Sequence, residues 1–301
     1  MPTPESIRGR VVLPRLMIER SYKLIFERLE QTIKAQEVIL DASDVLWISP
    51  LGTILLADFT HRRQELGLTT SIIMPKQAMS NQYIRDSGLF NLTQSSNLDG
   101  AITSSNVQLR LLNRMDGNVP ELLVNFACGQ AEDVDDDDRA LLRVWVTELM
   151  TNANDHAKSE KGFWVCARYN PNRNPKLNNM NICVADSGIG IKESLLRSGK
   201  YGKEMSHSQA IEKALEEGVT SRAGHTGGLG LKHIVAYVKS HGGSLTIFSG
   251  NACVRVRRKR KKEVKTIPQY QGTIVTAAFN IRTVSKYSKS EGSAESPFQF
   301  Q

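Results

Sequence analysis

Glu148, Asn152 and Asp155 lie in a stretch whose neighbours are largely apolar. Spaced four and then three residues apart, they share one stripe of a helix. A carboxylate, an amide and a second carboxylate facing together would be wasteful on a bare surface. Facing a phosphorylated ligand, they have work. Asn152 offers a hard carbonyl oxygen, and magnesium takes few protein ligands of that kind beside phosphates. Glu148 can accept a proton from an attacking water or hydroxyl. The competing reading is an ordinary polar face, and this stretch alone does not choose between the two.

Two glycine corners extend the set. Asn181-Ile182-Cys183-Val184-Ala185 reads as a strand that delivers Asp186. A buried aspartate at a strand end is a good acceptor for an exocyclic amine such as that of adenine. Ser187-Gly188-Ile189-Gly190 then turns sharply, with glycines that permit positive φ and close approach of a ligand. Further on, Gly227-Gly228-Leu229-Gly230-Leu231 opens a helical pattern through Val238. A glycine turn at a helix start offers free N–H groups and the positive dipole end to phosphates. Ser221 and Arg222 can add to that surface.

The elements that must hold these groups follow from periodicity. A helix is expected over 138–156, with Leu141, Leu142, Trp145, Leu149 and Met150 as its apolar face. The four aspartates at 135–138 suit the positive end of that helix, and no metal is assigned to them. Residues 107–111 and 122–126 read as strands around a turn at 115–120. The Gly-punctuated connection 197–226, with a helical pattern at 209–215, reads as either a lid or a disordered segment. His241-Gly242-Gly243 ends the helix that follows the second corner. Strands are expected at 245–249 and 272–279, flanking a basic hairpin at 255–262.

Before this region, strand-like runs at 11–13, 38–41 and 69–74 alternate with helical patterns at 22–33, 50–66 and 77–87. Ser49-Pro50 supplies an N-cap and a proline at the first helical position, while Gly67 and Gly88 end helices. The alternation implies a parallel α/β unit with helical crossovers. The polar segment 91–105 marks a boundary. Three units result: 1–100, 105–283, and a Ser-rich tail at 284–301 expected to be disordered.

Composition narrows the classes. The chain has 301 residues, 40% of them apolar, enough for packed cores. No apolar run is long enough to span a bilayer, and the first residues lack the pattern of a signal peptide. Cys128, Cys166, Cys183 and Cys253 form no CxxC pair, so buried free thiols in a reducing cytoplasm are expected. The net charge of +8 is concentrated in the 255–262 run. No aromatics interleave that run as a single-strand platform needs, so nucleic acid is not the expected partner.

Taken in order, Glu148-Leu149-Met150-Thr151-Asn152-Ala153-Asn154-Asp155-His156-Ala157, Asp186-Ser187-Gly188-Ile189-Gly190-Ile191, Gly228-Leu229-Gly230-Leu231, His241-Gly242-Gly243 and Gly272-Thr273 resemble the GHKL ATPase domain. Histidine kinases, anti-sigma serine kinases, type II topoisomerases, MutL and heat-shock chaperones share that domain. The resemblance implies a two-layer α/β sandwich of the Bergerat type that binds ATP with Mg2+. It implies that Asn152 holds magnesium, Asp186 binds adenine, and Gly188 and Gly190 line the base pocket. Gly227, Gly228, Leu229 and Gly230 would meet phosphate, with Thr273 supporting the adenine end. Asp155 joins this set at a position where kinases of the family often carry lysine.

The first unit resembles a STAS domain through Val38-Ile39-Leu40-Asp41-Ala42-Ser43-Asp44-Val45 and Trp47-Ile48-Ser49-Pro50-Leu51-Gly52. The family's usual phospho-acceptor position holds Leu51, which has no hydroxyl. The fold class is therefore α/β (α+β layered), a STAS-like regulatory or docking unit followed by the ATP domain. The expected function is that of a protein kinase or ATPase in bacterial regulation, anti-sigma-kinase-like, acting on Ser or Thr of a partner. The alternative is an ATP-gated interaction module with slow hydrolysis. A protein partner is expected, and kin of this kind often form homodimers. An orthodox histidine autokinase is poorly supported, because His61 is a lone histidine, read as a surface residue in the wrong kind of unit.

Overall fold

A computed structural model describes residues 8–96, 98, 101–130, 134–156, 161–171, 178–197, 199, 201–202, 204–216, 230–240, 242–258 and 260–280. The first unit runs β1 (Arg8–Val12), β2 (Leu16–Met17), α1 (Tyr22–Thr32), β3 (Glu37–Asp41), β4 (Trp47–Ile48), α2 (Pro50–Glu65), β5 (Thr69–Ile73), α3 (Ala78–Asp86) and α4 (Leu89–Thr93). Strands β1, β3 and β5 pair in parallel in that order, as alternation with helices requires. The expected caps are in place. Ser49 Oγ accepts from Gly52 N at 3.3 Å to start α2, and Gly67 and Gly88 follow helices at φ +71° and +79°. Segment 91–105 is not all linker, because its first residues complete α4.

Helix α2 is the unusual element. Its residues Pro50 through Thr60 are all buried, with no polar face. Its last turn carries Arg63, fully buried, whose guanidinium donates to the carbonyls of Ile33 (2.9 Å) and Ala35 (2.8 Å) and to Thr70 Oγ1 (2.9 Å). Those bonds satisfy carbonyls left open at the end of α1 and lock α2 to it.

The second unit continues with β6 (Asn106–Leu112), α5 (Asn118–Cys128), α6 (Asp136–Thr151), β7 (Phe163–Asn170), β8 (Asn179–Asp186), α7 (Gly190–Arg197), α8 (His207–Ala214), α9 (Gly230–Ser240), β9 (Ser244–Arg257) and β10 (Glu263–Phe279). The sheet order is β6-β7-β8-β10-β9, antiparallel throughout. Residues 122–126, expected as a strand, are helical instead, inside α5. Val119, Leu123, Val124 and Ala127 recur at helical spacing, all buried, and α5 packs on α6. A short Leu-Leu-Val run fits both periods, and the packing partner decides. The basic run is a hairpin between β9 and β10, with Arg257 paired to Glu263 and Lys262 to Glu212, each at 3.0 Å. No helix among the described residues is long and apolar enough to cross a membrane.

Alternate residues of this sheet enter two cores. Phe163, Val165, Ala167, Ile182, Val184, Ile247, Ala277 and Phe279 pack with the helical layer of α5, α6 and α9. Trp164, Cys166, Cys183, Ala185, Phe248, Tyr270 and Ile274 instead belong to the core of the first unit. Helix α2 lies across β7, β8 and β10, and α1 lies on β10. All four cysteines are buried free thiols, as their apolar neighbours imply.

Candidate functional site

Strand β8 ends on Asp186, only 5% exposed. Its Oδ1 accepts from Gly188 N at 2.9 Å, and Thr273, opposite it in β10, adds a second backbone N–H. Tyr270 Oη donates to the Asp186 carbonyl at 3.2 Å. Burial pushes the Asp186 carboxyl up to about 7; the two N–H donors oppose the rise, and the nearby Asp58 adds to it.

The turn after Asp186 depends on two glycines. Gly272 has φ +103°, and a Cβ there would collide with the Asp186 carbonyl and stand 2.8 Å from Gly188 N. Gly190, at φ +75°, begins α7, where a Cβ would come within 2.9 Å of Ser249 Oγ. Ser249 Oγ donates to Gly272 O (3.0 Å) and accepts from Ile191 N (3.0 Å), with Thr273 Oγ1 at 3.3 Å. Gly188 is not at positive φ; it serves through its N–H.

Helix α6 starts at Asp135, whose side chain caps Asp138 N at 2.8 Å. Leu142, Trp145, Leu149 and Met150 are buried, as expected, with Val146. The helix does not run on to His156 in α form. A π turn covers Asn152–His156 and lies against β8. Such turns recur at functional sites. Their wider winding carries Asp155 off the line of Glu148 and Asn152, so the three do not share one stripe. Glu148 and Asn152 are half-buried, whereas Asp155 is exposed and accepts from Asn154 Nδ2 at 2.6 Å. Asn154 Oδ1 in turn accepts from Met115 N at 2.6 Å, tying the turn to the chain after β6.

Of the second corner, Gly230 is the first residue of α9. Gly227, Gly228 and Leu229 lie outside the described residues, as do Ser221 and Arg222. In the lid segment, α8 starts with a Ser206–Gln209 capping box and buries Ala210 and Ile211.

Two residues near this site were not singled out from the sequence. Asp58 of α2 accepts from Ser187 Oγ at 3.1 Å and pairs with Arg62 Nε at 3.2 Å. Its signal was a lone carboxylate in the apolar run Ile54-Leu55-Leu56-Ala57-Asp58-Phe59. Tyr270, a buried phenol behind Asp186, carried none. His61, expected at the surface, is half-buried and edge-on to Trp164 at 5.7 Å between ring centroids.

No curated protein matches the chain. Residues 137–283 match the family model described as histidine kinase-, DNA gyrase B-, and HSP90-like ATPase. The match begins within α6, so β6 and α5 precede it, and it contains the Asp186 turn, both glycine corners and Thr273. With that match laid on an antiparallel sheet backed by helices, residues 137–283 are a GHKL-type ATPase domain.

Proposed function

We propose that this domain binds ATP with Mg2+ and turns it over as a protein kinase or ATPase. The observation that carries the proposal is Asp186. A buried carboxylate at a strand end, held by two N–H groups and backed by a glycine that admits no side chain, fits an adenine amine better than any structural need. Asp186 would accept from the exocyclic amine, with Gly188, Gly190 and Thr273 shaping the base pocket. The half-buried Asn152 carbonyl, a hard oxygen on the turn beside β8, fits a magnesium ligand. Magnesium, when bound, neutralises phosphate charge. Glu148, one helical turn before Asn152, would take the proton of the attacking water or hydroxyl. Gly227, Gly228, Leu229 and Gly230 would meet the phosphates, and Asp155 would stand at their solvent edge.

The first unit is read as STAS-like and regulatory, fused to its kinase-like partner as a frozen complex. Leu51, in the phospho-acceptor position, is 1% exposed and inside the core, so the acceptor would lie on another protein. The second reading, an ATP-gated interaction module, is favoured by the core that the first unit shares with the sheet. Nucleotide ordering the lid would then alter a partner surface.

Incubation with γ-labelled ATP and candidate partners separates the two readings. Label on a protein hydroxyl supports the kinase, free phosphate released over many turnovers supports the ATPase, slow release alone supports the gate, and no ATP binding defeats them all. Glu148→Ala is expected to reduce turnover at least about a hundredfold while binding stays within about twofold of wild type. Asp186→Asn is expected to weaken binding itself, and an unchanged affinity would remove the adenine assignment.

A further inference from the structure

We infer that Asp58, contributed by the first unit, is a positioning residue for the nucleotide site: it holds Ser187, and through it the Asp186 turn, from behind the sheet. The inference rests on the ATP reading above and extends it to a residue outside the matched ATPase span. Asp58 lies on α2, which packs on β8, and its partner Ser187 is the residue that follows that strand. Its carboxylate is 5% exposed, with Oδ1 on Ser187 Oγ (3.1 Å) and Oδ2 on Arg62 Nε (3.2 Å). Arg62 reaches on to Glu30 of α1 at 2.5 Å.

Packing alone does not call for this chain of contacts. Asp58 has apolar neighbours on either side in a helix buried on every face, and a leucine there would pack without desolvating a charge. A buried ion pair roughly breaks even against such a replacement, so the pair with Arg62 is a weak reason for the carboxylate. The bond to Ser187 is different in kind. Ser187 stands between Asp186 and Gly188, the two residues whose mutual bond shapes the turn. Fixing its hydroxyl fixes the peptide on which Gly188 N–H is aimed at Asp186. The same placement sets a second carboxyl near Asp186: burial pushes Asp58 itself up while Arg62 opposes the rise, and when ionised Asp58 raises the Asp186 carboxyl further. The charged and titratable groups facing this pair are Asp58, His61 and Arg62 on α2, Glu30 and Tyr22 on α1, and Tyr270 on β10. The first unit would therefore supply part of the site's geometry and part of its charge.

The test uses the full chain with Asp58→Asn, Asp58→Ala, Ser187→Ala, Ser187→Thr and the double variant Asp58→Ala/Ser187→Ala. Two readouts are taken: Mg·ATP affinity by calorimetry across pH, and the Asp186 carboxyl titration by carbon NMR without nucleotide. Asp58→Asn keeps an acceptor for Ser187, and Arg62 keeps Glu30, so a folded protein is expected. Its Asp186 titration should move to lower pH, and affinity should then persist to lower pH. At pH 8.5, where Asp186 is ionised in every variant, Asp58→Ala and Ser187→Ala should each lose affinity by about tenfold. The double variant should lose no more than either single one, and Ser187→Thr should restore binding. If Asp58→Ala does not fold, the Ser187 pair and Asp58→Asn carry the comparison. Additive losses, or an Asp186 titration indifferent to Asp58→Asn, would overturn the inference while ATP binding stands. A wild-type chain that binds no ATP, yet whose Asp186 titration responds to Asp58→Asn, would instead sink the ATP reading and keep the coupling.

Discussion

The two faces of the five-stranded sheet are covered in different ways. On one face lie α5, α6 and α9, each burying a stripe and turning the rest outward. On the other face lie α1 and α2 of the first unit, and α2 is buried all round because it is caught between two sheets. The junction has the chemistry of a core. Tyr22 stacks on Phe248 at 4.3 Å, Phe26 meets Tyr270 edge-on at 5.9 Å, and the Arg168 guanidinium lies over Trp47 and Tyr83 at 3.8 and 3.7 Å. Arg168 also donates to Ile48 O at 2.6 Å. Inter-domain contacts that permit relative motion are smaller and more polar than this. The lesson is that the first unit cannot be treated as a detachable ligand of the ATPase domain.

Truncating one aromatic on each face breaks or sharpens that contrast most. Phe248 and Trp145 are 0% and 1% exposed. Phe248→Ala and Trp145→Ala are each expected to cost about 3–5 kcal/mol. Calorimetry should show one unfolding transition in both variants, because a shared core couples the two units. If Phe248→Ala instead splits the transition and leaves the ATPase domain melting at its original temperature, the back face is a docking surface after all.

Gly272→Ala comes next. It strains a backbone at φ +103° and forces a Cβ against the Asp186 carbonyl, a cost of about 1–3 kcal/mol in stability. Because the strain falls on the turn rather than on either core, ATP affinity should fall by more than tenfold, about 1.4 kcal/mol. Retained affinity with lowered stability would place the nucleotide elsewhere.

What could be read beforehand divides along the same line. Local chemistry was legible: Ser49-Pro50 as a helix start, Gly67 and Gly88 as stops, Asp186 at a strand end. Each of these is fixed by neighbours a few residues away. The run 122–126 was misread because four or five apolar residues suit both periods until α6 supplies a partner. The π turn at Asn152 left no pattern, so the offset of Asp155 could not be foreseen. Least legible was the second covered face. Residues 163–167 of β7 and 182–185 of β8 are unbroken apolar runs, a pattern that goes with burial on both sides but does not say what buries them. The buried run 50–60 of α2 was the matching half of that clue, and Asp58 was the charged residue within it that marked the site.

A pH series probes the back-face charge. An unfolded aspartate releases its proton near 4, whereas folded Asp186 holds its proton up to about 7. Between those values the folded chain carries more protons than the unfolded one, so this group makes stability fall as pH rises through the window. Nucleotide binding should run the other way, because the adenine amine needs the carboxylate. ATP affinity is expected to rise from pH 6 to pH 8 in wild type and to flatten in Asp186→Asn. An affinity that is equally pH-dependent in both would assign the titration to another group.

The smallest effect tests whether charge or core holds the two units together. Lys161 Nζ lies 2.5 Å from Glu65 Oε2, linking the end of α2 to the residues before β7. Both side chains are well exposed, at 51% and 34%, and Lys161 has a further partner. Solvent screens such a pair, and ordering two long side chains offsets most of what attraction remains. Lys161→Ala should therefore change unfolding free energy by less than about 1 kcal/mol, and added salt should not separate the units. A larger loss, or a second transition appearing at high salt, would mean that the aromatic contacts behind the sheet are weaker than their burial implies. The shared core predicts neither, because the area under α2 is apolar and the ion pair sits only at its rim.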